Sequence, residues 1–560
     1  MNSADLVVAD ASFYPTIEAL AKEVESLLVV SDIDAALERI QGFVRAVMFD
    51  RRSVAKVFAD AVLDSLCQRM GAAVAPSLAL PERAQIEDRV DCVILATELY
   101  RAGGHSAVIG DLVRTGRFGP RTVLMLTDTL NSADPTIADE RYGDLVEVEM
   151  APAGVLLEKL HWTLSRLLVL RPRRLILFNH HYDSVAIAAA QPGIADEIVF
   201  YHHGDHQLCL GATLTHTLHV DPHPMGFYHC RGELGLTANV YWPLDVDDLG
   251  TRARTNRDSA LRTCSSGSSN KFELDYKYRY ADIVPQLIAR TGGTHVHIGP
   301  LSESALQRIY GGLVDLAVPQ GRFIHIPWVS SVWRTLQQQQ IDLYLTSFPL
   351  GGGRVAIEAM GAGIPIVGHD SFLSPFYGGQ DMLYPEAFLW KTPSQLLSHL
   401  EDIDFRQLER ESRLARTHYE RYHTKAALIR AIDAGSAAPA PPPLRPQRSD
   451  PMQSFLDDVH YALRDHLTAA EIAPLLAQLE QDRVARAVRD AEVAAFEENQ
   501  INKTTALIKM YAQEIVQLRG EVAQARAREE RVSSRIKMIE RSRSWRLARL
   551  MQRAVTLLRN

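Results

Sequence analysis

The stretch TSFPLGGGRVAIEAMGAGIPIVGHD, Thr346–Asp370, decides how the chain reads. Asp342–Thr346 is a short apolar run that ends in a proline and three consecutive glycines, Gly351–Gly353. Helical spacing follows from Val355 to Gly361, and Gly363 and Pro365 then turn the chain into a second apolar run. A strand, a bare-backbone turn and a helix in this order place unpaired N–H groups and the positive end of a helix at one point, where a phosphate can rest. Arg354 adds a cation in the first turn, and Glu358 stands one turn further, in reach of a ribose diol. The GK[ST] ending of a Walker loop is absent, and no GxGxxG follows the first strand of the chain. With no ligand, the same residues would make a glycine-rich connection between two strands.

The alternation of strand and helix extends in both directions from this point. Upstream, strands are expected near Thr263, His295–Ile298 and Phe323–Ile326, with helices over Tyr278–Arg290 and Glu303–Leu316 between them. A second alternating series occupies Cys92–Thr97, Thr122–Leu126, Arg174–Phe178 and Glu197–Tyr201, with helices at Val108–Arg114, Val155–Leu170 and Ser184–Ala190. Such alternation predicts two α/β, Rossmann-like, doubly wound units that face each other across a cleft. The expected organisation is a helical region over 1–86, the first unit over 87–250 and the second over 251–435. A proline-rich spacer over 436–451 that cannot pack follows, and a helical extension over 452–560.

Composition sets the outer bounds. The chain has 560 residues and a net charge of −8, so it does not read as a nucleic-acid binder. Its five cysteines are scattered and form no CxxC pair, which argues against a zinc ribbon or a disulfide framework. The first 30 residues lack the basic and apolar regions of a secretory signal, and no apolar run of spanning length occurs. A cytoplasmic protein is expected. In the extension, Ile508, Tyr511, Ile515, Leu518, Val522, Ala525, Val532, Ile536 and Ile539 form a heptad seam, with Glu529 as a fault. The seam predicts a homo-oligomer through a coiled coil over 508–539. Residues 541–560 carry six arginines and no acid, with Trp545, Met551 and Leu558 at helical spacing. Such a tail fits an anionic membrane surface or a partner helix.

Two further features carry chemistry. Lys271 follows the Ser- and Gly-rich run Cys264–Asn270. Nine of the twenty histidines lie between 180 and 229. Tyr201-His-His-Gly-Asp-His206 comes within one residue of the HxHxDH pattern of dimetal hydrolases, with Tyr201 where the first ligand would stand. The alternative is a set lining the cleft at the strand ends. His105, Asp183, His203, Asp205 and His206 are then the candidate general bases.

The segment Thr346–Asp370 resembles the donor-binding segment of GT-B nucleotide-sugar glycosyltransferases, above all the O-linked N-acetylglucosamine transferases and the adhesin N-glucosyltransferases. Asp342–Leu345 matches the strand, Pro349–Gly353 the loop, Glu358 the acid, and Ala362-Gly-Ile-Pro365 the closing turn. The sequence departs where the family has hydroxyl or amide side chains at Arg354 and Val355, and Asp at Glu358. The resemblance implies that Gly353, Arg354 and Val355 sit on the donor diphosphate, beside Gly351 and Gly352 of the same turn, and that Glu358 meets the ribose. It further implies that Lys271 neutralises the leaving group and that Val329 and Ser331 meet the base. Gly103-Gly104-His105 is similar to a loop after the family's first strand. Ser542–Leu547 (SRSWRL) is similar to the end of bacterial surface-polysaccharide transferases. A sugar transferase with a UDP-linked donor, a glycan or protein acceptor and no cofactor or metal requirement is the expectation. A metal-dependent hydrolase on residues 202–206, a non-hydrolysing sugar-nucleotide epimerase and a non-catalytic glycan-binding scaffold are the alternatives.

Overall fold

The computed structural model describes residues 16–49, 57–78, 89–101, 104–251, 260–273, 276, 278–370 and 379–445. Beyond these it describes 517–520, 531–538 and scattered positions between 524 and 552. The chain divides into two compact units, Met1–Phe455 and Leu456–Asn560.

The first of these units holds both expected sheets. Strands β1 (Cys92–Ala96), β2 (Thr122–Leu126), β3 (Glu147–Met150), β4 (Arg174–Phe178), β5 (Glu197–Tyr201), β6 (Leu218–Asp221) and β7 (Val240–Tyr241) form one sheet in the order 3-2-1-4-5-6-7. Strands β8 (Arg262–Ser266), β9 (Thr294–Ile298), β10 (Phe323–Ile326), β11 (Leu343–Leu345), β12 (Ile366–His369) and β13 (Phe388–Trp390) form the other, in the order 10-9-8-11-12-13. The pairings are parallel throughout, in register Cys92 to Thr122 and Cys92 to Arg174 in the first sheet, and Thr263 to His295 in the second. Every residue of β1 and β2 is buried, as expected of strands covered by helices on both faces. The order reverses between β1 and β4 and again between β8 and β11, and these are the points where a doubly wound sheet opens a crevice at its strand ends. The fold class is the expected one.

The sequence reading omits β3, β6, β7 and β13. These strands are short or stand at an edge, and β3 (EVEM) carries two glutamates, so no apolar run marks them. The strand near Thr263 runs on to Ser266, so Cys264–Ser266 belong to β8 and the loop proper begins at Gly267.

The expected N-terminal helices are Ile17–Val29, Ile33–Phe49 and Ala61–Val74. Asp32 accepts from the Ala35 N–H and caps the second of them, whereas Asp34 accepts from the Leu157 N–H at 2.8 Å and fixes this layer to the start of helix Leu156–Leu170. Helix Ala61–Val74 lies so close to helix Ser184–Ala189 that a Cβ at Gly71 would fall 1.8 Å from the Ala188 carbonyl. The buried Asp64 accepts from the backbone N–H groups of Gly211 and Thr213 at 2.6 and 2.9 Å.

The proline-rich segment is a correction. Residues 438–445 form no helix or strand, but Pro441 and Pro442 are buried. The Tyr228 hydroxyl donates to the Pro441 carbonyl at 3.2 Å, and Arg445 donates to the carbonyls of Ala387 and Tyr384, at 2.9 and 2.5 Å. The remainder of the spacer, from 446, lies outside the described residues.

In the unit Leu456–Asn560, residues 517–520 and 531–538 are helical, and Leu518, Val532 and Ile536 of the seam are exposed. Ile508, Tyr511, Ile515, Val522, Ala525, Glu529 and Ile539 lie outside the described residues, as does Leu558 of the tail. Trp545, Leu547 and Met551 are exposed. No helix among the described residues is long and apolar enough to cross a membrane.

The joint between the sheets is built around Trp242–Asp248, the stretch that leaves β7. Helices Phe405–Tyr422 and Lys425–Ala434 return from the second sheet to meet it. His423 Nδ1 meets the Leu244 carbonyl at 2.9 Å, and the Tyr419 hydroxyl donates to the Val246 carbonyl at 2.7 Å. Asp245, buried at this joint beside Asp111, holds its proton up to about pH 7 because burial disfavours its charge and Asp111 adds repulsion. Unfolding returns the group to its ordinary value of 3.8, so the folded state binds this proton more tightly and stability drops as pH rises from there to about 7. Asp245→Asn is expected to flatten the decline of stability between pH 4 and 7, read by urea unfolding at a series of pH values.

Candidate functional site

The strand ends of both sheets meet around a cavity of about 450 Å³. From the first sheet, the loop after β5 supplies His203, Asp205 and His206, and the start of the helix after β6 supplies His223 and Met225. From the second sheet, the turn after β8 supplies Asn270 and Lys271, and the loop after β11 supplies Leu350, Gly351 and Gly353. Gly379, Asp381 and Met382, which follow β12, close that side, and Met48 enters from the N-terminal helices. Asp381 ties the two walls together, because its carboxylate accepts from the Met225 N–H at 2.9 Å.

Helix Gly353–Gly361 begins at the cavity. Its N-cap is Gly352, which has no side chain to cap the first turn, so the leading N–H groups are left for a ligand. None of the three glycines adopts a positive φ. The reason for glycine is room: a Cβ at Gly352 would stand 3.1 Å from Lys271 Nζ, and one at Gly353 would stand 3.5 Å from Met382. Lys271 sits on the short turn Ser269–Lys271, and its ammonium lies 3.4 Å from the Gly351 carbonyl. No carboxylate among the described residues pairs with it, and burial lowers its pKa. A partly desolvated cation over an uncapped helix start is a site for an anion.

The opposite wall is built on Asp205. His223 Nδ1 lies 3.0 Å from one carboxylate oxygen and His206 Nδ1 lies 3.6 Å from the other. Gly226 is required here, because a Cβ would fall 2.3 Å from Asp205 Oδ2. Burial alone would push the His223 pKa down. The Asp205 carboxylate outweighs it and raises the group to about 9, so His223 is an imidazolium at neutral pH. The same contacts hold Asp205 far below the usual carboxylate range against the opposing effect of burial. His203 has its Nε2 2.9 Å from the Asn179 carbonyl, which places the proton on Nε2 and leaves the Nδ1 lone pair available. Burial, reinforced by His180, pushes its pKa down to about 3.

The remaining sequence candidates lie elsewhere. His105 stands behind His203, with ring centroids 4.7 Å apart, and does not line the cavity; burial keeps it neutral. Asp183 is fully buried as the N-cap of helix Ser184–Ala189, accepting from Ala186 N–H at 2.8 Å and from the Thr97 and Thr127 hydroxyls at 2.7 and 2.5 Å. That set of donors makes it a structural carboxylate and removes it from the candidate bases. Arg354 is turned away from the helix start toward the first sheet, where its guanidinium pairs with Asp111 and donates to the Asp245 carbonyl at 3.2 Å. The Glu358 carboxylate accepts from the Trp333 N–H at 2.8 Å, at the start of helix Val332–Gln338. Ser331 caps that helix, and Val329 packs against the core; neither they nor Glu358 line the cavity.

His202 leaves the group 202–206 altogether. It turns toward β6, into a buried cluster with His219, Asp221 and Cys230, which are donors suited to a metal. The dimetal pattern read from the sequence is therefore not assembled. Sequence reasoning missed His223 and Asp381 as members of the site. His223 was visible only as one of nine histidines, and Asp381 had no motif around it.

No family model matches the sequence, and no curated protein matches it. Among solved structures the chain is similar to the apo form of the lipopolysaccharide outer core galactosyltransferase WaaB, with 16% identity and a TM-score of 0.46 over 61% of this chain and 98% of that one. It is similar to Anabaena Alr3699/HepE in complex with UDP and glucose, with 14% identity and a TM-score of 0.45 over 62% and 98%. A mutant Thermobaculum terrenum O-GlcNAc transferase is similar over 80% of this chain and 83% of its own, at 12% identity and a TM-score of 0.40.

If the helix start is an anion site, filling it must abolish binding of a bare anion. Gly352→Val is expected to weaken inorganic pyrophosphate at least tenfold by calorimetry, with the thermal midpoint of unfolding little changed because the atom an added Cβ meets first is the far end of the Lys271 side chain, which can move aside.

Proposed function

We propose that the chain is a GT-B-type glycosyltransferase that moves a sugar from a nucleoside-diphosphate donor, UDP-linked, to a glycan or protein acceptor in cell-surface polysaccharide or glycoprotein biosynthesis. One juxtaposition carries the reading. A lysine ammonium with no carboxylate partner among the described residues stands over an uncapped helix N-terminus, across a cavity from a histidine–aspartate wall. The donor diphosphate would lie on the Gly351–Gly353 turn. As the bond from the anomeric carbon to the phosphate oxygen breaks, negative charge grows on the leaving diphosphate, and Lys271, the first-turn N–H groups and the His223 imidazolium would stabilise it. None of these donors requires a metal.

The acceptor hydroxyl or amide would enter from the first sheet. His206 is the base we assign: it lines the cavity, is partly exposed, and has its Nδ1 beside the Asp205 carboxylate that would steady the imidazolium after proton transfer. Asp205 itself holds protons too weakly for that task. The hydrolase alternative on residues 202–206 lacks a metal-binding arrangement at the cavity, since His202 points away from the other three. We extend the proposal to the extension: the exposed apolar side chains of the seam and the basic tail fit a second copy of the chain and an anionic membrane surface.

Two substitutions separate binding from chemistry. Lys271→Met is expected to weaken UDP binding at least tenfold, about 1.4 kcal/mol by calorimetry. His206→Ala is expected to lower kcat by about a hundredfold or more, the usual weight of a general base, with UDP affinity within twofold. UDP-sugars that neither bind nor turn over with any acceptor would refute the reading.

A further inference from the structure

Four side chains meet inside the first sheet at the exits of β5 and β6. They are His202, just past β5, His219 and Asp221 on β6, and Cys230 on helix Pro224–Gly232, and all four are buried. His202 Nδ1, His219 Nε2 and Asp221 Oδ1 form a triangle with every edge 3.2 Å. Cys230 Sγ lies 3.4 Å from both His202 Nδ1 and Asp221 Oδ1, and the four donor atoms lie within 4.8 Å of one another. Around a tetrahedral zinc ion, with bonds of about 2.0–2.3 Å to N, O and S, neighbouring donor atoms stand about 3.3–3.7 Å apart. The spacing observed is close to that of a tetrahedron seen without its centre.

Hydrogen bonding alone accounts for the group poorly. If both imidazoles donate to Asp221 Oδ1, two N–H groups face each other at 3.2 Å. If one nitrogen accepts from the other, its ring directs no proton at the carboxylate. A cation at the centre satisfies four lone pairs together. Charge agrees: a thiolate, a carboxylate and two neutral imidazoles sum to −2, which a divalent ion cancels in a buried setting. Two nitrogens, one sulfur and one oxygen suit zinc, and do not suit the hard, oxygen-seeking magnesium or calcium. The outer contacts fit as well. Asn239 Nδ2 donates to the second oxygen of Asp221 at 2.6 Å, and Asn239 is itself held by the Phe227 carbonyl at 3.0 Å and by Arg231 at 2.7 Å.

We propose that His202, His219, Asp221 and Cys230 bind one zinc ion in a closed, structural site. Four protein donors leave no open position, and the site is separate from the cavity, so it does not take part in the transfer chemistry. It clips the exit of β5 to β6 and to helix Pro224–Gly232, the elements that carry His203, Asp205, His206 and His223. On binding, the Cys230 thiol loses its proton to solvent and becomes the sulfur ligand.

The test uses the full-length protein, expressed with added zinc and purified without chelator. Elemental analysis by mass spectrometry is expected to find one zinc per chain, and most of it to be lost in Cys230→Ser and in Asp221→Asn. Exchange with Co²⁺ is expected to give a thiolate-to-cobalt charge-transfer band and the visible bands of a tetrahedral ion, with the charge-transfer band missing in Cys230→Ser. Wild-type protein that carries no zinc, or that takes up Co²⁺ without a charge-transfer band, overturns the proposal. Should the variants fail to fold, wild-type occupancy and the cobalt spectrum decide alone. Neither readout depends on turnover, so the outcome stands apart from that of the glycosyltransferase reading.

Discussion

The stretch Trp242–Val246 is buried between two parallel sheets, and backbone groups of Leu244 and Val246 are satisfied by partners that follow or lie on the second sheet's helices. The Leu244 carbonyl is met by His423, the Val246 carbonyl by Tyr419, and the Val246 N–H by the His423 carbonyl at 3.1 Å. Buried backbone groups left without partners are costly, so these bonds fix the orientation in which the sheets face each other. Arg354 serves the same joint through Asp111 and Asp245, on a helix whose first N–H groups look into the cavity. Domain pairing and the proposed anion site thus share one helical turn, with the side chain of Arg354 given to the first and the backbone to the second.

The histidines divide by geometry. His202 and His203 are neighbours at the end of β5, and successive side chains leave a strand on opposite faces. One enters the buried cluster with Cys230, and the other faces the cavity. The loop that follows then brings Asp205 and His206 back to the same wall as His203. A run that reads as one motif therefore serves two places with different chemistry.

The interior strands were legible because parallel strands covered on both faces are nearly continuous apolar runs, as in Cys92–Ala96 and Thr122–Leu126. The strands without such runs, Glu147–Met150 and Val240–Tyr241, were not. The glycine turn was legible as a bare-backbone passage from strand to helix, and Lys271 lies over it. What the pattern could not reveal was side-chain direction. Asp183 stands after a strand end as a catalytic carboxylate would, yet its oxygens are taken by Thr97, Thr127 and the Ala186 N–H. Arg354 begins the right helix, yet an acid 243 positions earlier in the chain claims its charge. His223 and Asp381 belong to the site only through contacts made across the fold, and no local spacing announces such contacts.

The packed proline segment has a mechanical meaning. It is bonded to Tyr228, on a helix of the first sheet, through Pro441, and to Tyr384 and Ala387, beside the second sheet, through Arg445. The four residue-to-residue steps from Pro441 to Arg445 extend by at most about 14 Å. The segment thus acts as a short leash sewn across one margin of the molecule. The two halves are held together at that margin, and an opening of the cavity that keeps these bonds is a swing about it, with the leash as its stop.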